Sequence, residues 1–134
     1  MRAAELYDYA IVRVVPRVER EEFLNAGAIL SCQRTGFLRA AIALDEARLL
    51  ALDPQADVDT VRRHLGAIAA ICAGAPEGGP IAGLPLRARF HWLTARRSSI
   101  IQTSPVHTGL CTDAAAALEH VMDRMVRPLP APRG

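Results

Sequence analysis

Residues 7–15, YDYAIVRVV, decide the fold. Ala10, Val12 and Val14 alternate onto one face, while Tyr7, Tyr9, Ile11 and Val15 fall on the other. A period-two run that is apolar on both faces predicts a central strand covered on two sides. Arg13 interrupts the second face, and Pro16 ends the run because proline has no N–H to give a ladder. An arginine in such a strand needs a partner, since an unpaired buried charge is very costly. Asp8, Glu19, Glu21 and Glu22 are the nearest carboxylates, so an ion pair with one of them is expected. A bound anion is the functional alternative.

Outward from this strand, RVEREEFLNAG (17–27) reads as a polar turn region with a short helical stretch, in which Asn25 and Gly27 suit a turn or bulge. AGAILSC (26–32) and FLRAAIAL (37–44) are apolar runs of strand length joined by QRTG (33–36), which predicts a hairpin. The period then changes. Asp45 caps a short helix over 46–52 that stops near Asp53-Pro54. Asp57 caps a longer helix over 58–73, with a stripe of Val58, Val61, Leu65, Ile68 and Cys72, and Gly74 stands where a helix stop belongs. GAPEGGPIAGLP (74–85) is a connector, and Pro85 opens a short helix over 86–97. SSIIQTS (98–104) suits a strand closed by Pro105. Thr112 or Asp113 caps a last helix over 113–126, with Leu118, Val121, Met122 and Met125 inward. RPLPAPRG (127–134) cannot continue it. Strands come first and do not alternate with helices. The expected class is therefore α+β: a mostly antiparallel sheet of about four strands with three to four helices packed on it. It forms a single domain over 1–127 with a disordered tail at 128–134.

The totals agree with one folded domain: 134 residues, 51% apolar, mean hydropathy +0.14. Sixteen basic residues stand against 14 acidic ones, and every basic residue is arginine, so a Schiff-base lysine and a phosphate-binding lysine are excluded. Cys32, Cys72 and Cys111 are scattered and odd in number, which argues against a disulfide framework and suits a reducing compartment. MRAAELYDYA lacks a signal peptide's apolar core, and the longest apolar window, LGAIAAICAGA (65–75), is too short to span a bilayer. The expectation is a soluble, cytoplasmic, bacterial protein. With spread arginines, 4% aromatics and a pI near 8.7, weak nucleic-acid binding ranks third among the functional readings.

Two long blocks, YDYAIVRVVPRVEREEFLNAGAILSC (7–32) and FHWLTARRSSIIQTSPVHTGLC (90–111), together with the capped helix after them, resemble a bacterial family catalogued as domain of unknown function 3037. The resemblance covers about residues 6–127. It implies no catalytic residue and no cofactor. It does imply a partner role, since members are often encoded beside a HipA-like kinase-fold protein.

The chemistry-bearing stretch is RRSSIIQTSPVHTGLC (96–111). His107 and Cys111 are four apart, which admits a nucleophile with its base or two metal ligands. A helix N-terminus just after Cys111 would lower its pKa, whereas Asp113 would oppose a thiolate; a small buried hydrophobe is the structural alternative. Further zinc ligands would have to come from Cys32, Cys72 or His91, without motif spacing, so no metal is expected. Arg96, Arg97, Ser98 and Ser99 can converge on a phosphate or carboxylate, or simply mark a helix C-terminus followed by a turn. Gln102 and Thr103 point from the strand to the same surface. The candidate anion site is thus Arg13, Arg97, Ser98 and Gln102, with His107 as acid or base. Trp92 reads as a core plug, and His64 and His120 as solvated. The leading reading is a non-catalytic binding or adaptor module that dimerises or acts with a protein partner. The second is a small enzyme or binding domain for an anionic ligand.

Overall fold

The structure, a computed structural model, describes residues 3–132. Strands β1 (Glu5–Val14), β2 (Leu24–Cys32) and β3 (Phe37–Ile42) form an antiparallel meander. The outer edge of β1 is shared by two short strands. β4 (Ile101–Thr103) pairs with Val12–Val14, and β5 (His107–Cys111) pairs with Glu5–Tyr9. The sheet thus has five strands, one more than the sequence suggested. β5 lies where a turn into the last helix was expected, and His107, Thr108 and Leu110 are exposed on it, so no alternation announces it. Gly109 is needed there because a Cβ would sit 2.6 Å from the Tyr7 ring.

β1 is covered on both sides, as its apolar faces require. Val12, Val14, Leu24 and Ile29 pack against Leu49 of α1 (Glu46–Leu52), Val61, Leu65 and Ile71 of α2 (Val58–Ala73), and Phe90 and Leu93 of α4 (Leu86–Leu93). The opposite face carries Ile11, Ala28 and Leu30 under Leu118, Val121 and Met122 of α5 (Ala114–Met125). Ala10, Val12 and Val14 are 0% exposed. Full burial of such side chains stabilises by roughly 1.5–3 kcal/mol for each Val, Leu, Ile or Phe.

The ends of α1 and α2 and the start of α5 follow the sequence signals, whereas α4 stops at Leu93, short of the expected 97. Asp45, Asp57 and Asp113 accept from the N–H groups of Arg48, Thr60 and Ala116. Gly74 closes α2 in the left-handed region at φ 69°. The connector is more ordered than its composition suggests, with a 3-10 turn at Pro76–Gly78 and the one-turn helix α3 (Gly79–Ala82). Opposite β1, Val12 faces Gly27 and Arg13 faces Asn25, so Ala26 is the extra residue of a β-bulge. Gly27 serves there by size and not by positive φ: a Cβ would lie 2.5 Å from the Ala41 carbonyl oxygen. Residues 127–132 carry neither helix nor strand, and residues 133–134 of the expected tail lie outside the described residues. Among the described residues, no single helix is long and apolar enough to cross a membrane.

Candidate functional site

Helix α2, the C-terminal end of α4 and strand β4 line an open cavity of about 550 Å³. α2 contributes Arg63, His64, Ala67, Ile68 and Ile71, spaced i, i+1, i+4, i+5 and i+8, of which Ile71 belongs to the core and Ile68 packs against it. Trp92 and Leu93 end α4, and Arg97 and Ser99 follow in the loop before Ile101, Gln102 and Thr103 of β4. The floor is apolar, built of Ala67, Ile68, Ile71, Leu93 and Ile101. The rim carries two guanidinium groups, an imidazole, an indole, an amide and two hydroxyls, with no Asp or Glu among the lining residues.

Arg97 is fixed by its own helix. It donates to the carbonyls of Leu93 (3.2 Å) and Trp92, closing the negative end of α4, and its guanidinium lies 4.3 Å from the Trp92 ring centroid. Ser99 Oγ donates to the Ile101 carbonyl (2.7 Å), and Gln102 Nε2 donates to the Ser99 carbonyl (2.9 Å), which stitches the loop to the start of β4. Arg63 donates to Thr60 Oγ1 at 3.0 Å. Neither cavity arginine is in an ion pair among the described residues, although the adjacent Arg62 is held by Glu46. Carboxylate-free guanidinium forks above an apolar floor suit an anion attached to an apolar body.

Of the five residues expected to form an anion site, the structure brings Arg97 and Gln102 into this cavity. Ser98 is exposed and its neighbour Ser99 lines the cavity instead. Arg13 is the cross-strand neighbour of Gln102, but its guanidinium lies 4.2 Å from the Phe23 ring centroid. The expected carboxylate partner is absent: among the described residues Arg13 makes no ion pair, and its Nε is buried without a hydrogen bond. Glu19 lies in a 3-10 turn and Arg20 takes Glu22, so cation–π stacking on Phe23 replaces the ion pair.

His107 sits at the other end of the β1 edge, its ring 5.3 Å from that of Tyr9. His107 and Cys111 stand at opposite ends of β5, about 13 Å apart at roughly 3.3 Å per residue, so they form no dyad. The Cys111 thiol is pushed up rather than down, by burial first and then by Cys32, with the Asp113 charge also raising it. The Asp113 N–H at the start of α5 favours the thiolate, but burial and Cys32 outweigh it. Burial pushes the Cys72 thiol up to about 12. Among the described residues, no group of three His, Cys, Asp or Glu side chains is placed to hold a metal.

Sequence reasoning missed Arg63, His64 and Trp92. Trp92 is not a core plug: it is 41% exposed and forms the rim. No local signal separates Arg63 from Arg62, because the two reach different partners through tertiary packing.

A family model described as protein of unknown function (DUF3037) matches residues 9–126, a span that includes every residue lining the cavity. No curated protein and no solved structure matches the chain.

Proposed function

We propose, for a chain that belongs to the DUF3037 family of proteins of unknown function, a role as a non-catalytic binding domain whose ligand is an anion carried on an apolar body. The observation that supports this is the cavity between α2, α4 and β4: Arg63 and Arg97 stand free of carboxylates above a floor of aliphatic side chains. Its volume of about 550 Å³ is within the range of small-ligand sites. Binding without turnover is the economical reading, because the lining residues include no thiol and no carboxylate to act with His64.

Trp92 on the rim reports occupancy. Decanoate titrated into the full chain should change Trp92 fluorescence saturably, decanol should bind at least tenfold more weakly, and raised salt should weaken decanoate alone. Equal binding of acid and alcohol, or no saturable change, overturns the proposal. The adaptor role is the second reading. What favours it is Leu6 opposite Leu110 on adjacent strands, 66% and 67% exposed, at the uncovered end of the sheet. Co-purification with a HipA-like kinase-fold partner, weakened by Leu110→Arg, tests it; a Leu110→Arg protein that binds equally well refutes it.

A further inference from the structure

The cavity is bounded by a strand edge as well as by side chains. The N–H of Val15 donates to the Ile100 carbonyl (2.7 Å), and the N–H of Ser104 donates to the Ile11 carbonyl (2.8 Å). With Arg13 opposite Gln102, the hydrogen-bonded pairs are therefore 15 with 100, 13 with 102 and 11 with 104. The backbone N–H and C=O of Gln102 face β1. Those of Ile101 and Thr103 face the other way, at the edge where β4 pairs with no further strand. Ser99 Oγ takes the Ile101 carbonyl. The N–H of Ile101 and both backbone groups of Thr103 are left open beside the cavity that these residues line. Across the space stands the Ala67, Ile68 and Ile71 stripe of α2, and Arg97 closes one wall.

A free strand edge facing a helix, with an apolar slot between them and fixed cations at its margin, is complementary to one kind of ligand. We infer that the site takes the carboxyl terminus of an extended polypeptide, which adds to β4 as an antiparallel strand and places its last, apolar side chain on the aliphatic floor. This rests on the anion-binding reading of the same cavity and names its ligand class. Main-chain hydrogen bonds to Ile101 and Thr103 supply affinity without regard to sequence, and the floor selects the terminal side chain. Arg97, already held by the Leu93 and Trp92 carbonyls, meets the terminal carboxylate with its remaining N–H groups. Charge supports a chain end over an internal segment: an internal apolar segment brings no anion to two guanidinium groups that lack carboxylates. β4 has three residues, so the contact involves the last few residues of the partner and not a long strand.

The test uses the full chain and octapeptides with the four positions before the last randomised and an aliphatic or Phe residue at the end, prepared as free acids and as carboxamides. Free acids should bind, their carboxamides at least tenfold more weakly. N-methylation of the peptide nitrogen facing β4 should cost a similar factor. Amide exchange at Ile101 and Thr103 should slow on binding. Thr103→Pro removes an outward N–H without touching the ladder to β1, and a folded Thr103→Pro protein should lose the peptide. Because that variant can unfold, the N-methylated peptide tests the same bond on the unaltered protein. Equal binding of acids and carboxamides, or indifference to N-methylation, overturns the inference. Decanoate binding with no peptide binding also overturns it and leaves the small-anion reading standing. Failure of both ligands removes both.

Discussion

β4 and β5 lie end to end along the same edge of β1, and each borders a hollow, but among the described residues the arginines beside β4 are unpaired while Arg34 and Arg87 beside β5 are held by Glu5 and Asp8. At the β5 end the polar groups answer one another. Asp8 accepts from Arg87 at 2.7 Å and from Thr108 at 2.8 Å, His107 lies against Tyr9, and Tyr7 covers Gly109. At the β4 end the arginines find carbonyls and a hydroxyl but, among the described residues, no carboxylate. The difference teaches that hydrogen-bonding capacity left over after folding, and not the presence of reactive residue types, marks the candidate site. His107 and Cys111 are the more reactive pair on paper, and they are placed where nothing converges.

Four experiments break or sharpen this contrast. The largest effect belongs to the support of the cavity. Phe90 is 1% exposed and anchors α4 to the sheet. Phe90→Ala should cost about 3–5 kcal/mol in urea unfolding, and a loss under about 1 kcal/mol would show that α4 is not held by this side chain. Next comes the direct comparison of the two ends. Arg97→Ala should weaken decanoate at least tenfold, in keeping with the ~1.5–3 kcal/mol typical of hydrogen bonds to charged groups. His107→Ala should change decanoate binding less than twofold; equal losses in both variants would erase the distinction.

A smaller change is expected from Asp113, which caps α5 on the far face of the sheet. Asp113→Ala should lower stability by ~1 kcal/mol and leave decanoate affinity unchanged. The smallest effect near neutrality comes from the thiols. The Cys72 pKa is raised in the folded state, so its stabilising contribution is complete below the ordinary thiol value of 9.0 and is lost as pH rises towards about 12. Stability should therefore be insensitive to Cys72 between pH 6 and 8 and should fall above pH 9. A thiol reagent at pH 8 should leave Cys72 unmodified and react slowly with Cys111; rapid labelling of Cys111 would contradict its raised pKa.

Much of the fold was legible because its signals are local. The α1 and α2 boundaries follow from Asp45, Asp57 and Gly74, each acting within a few residues of itself. The meander follows from period-two runs around QRTG. β5 was not legible because its partner lies about a hundred residues away and its own residues are mostly exposed. The site was half legible. RRSSIIQTS places Arg97 and Gln102 near each other in sequence, so their meeting needed only a short loop. Arg63 and His64 reach the same cavity from α2 through tertiary packing, and nothing in their local sequence distinguishes Arg63, which lines it, from Arg62, which pairs with Glu46. Arg13 misled because a charge in an apolar strand invites a carboxylate, whereas the ring of Phe23 was the neighbour at hand.

The central claim is that the β4 end of the sheet, and not the β5 end, receives an anionic ligand. Backbone amide and side-chain resonances followed during a decanoate titration test it directly. The account predicts saturable shifts concentrated at Arg63, His64, Ile68, Trp92, Arg97 and Thr103, with His107 and Cys111 unmoved. Shifts centred on His107, Cys111 or Arg13, or none that saturate, would contradict it.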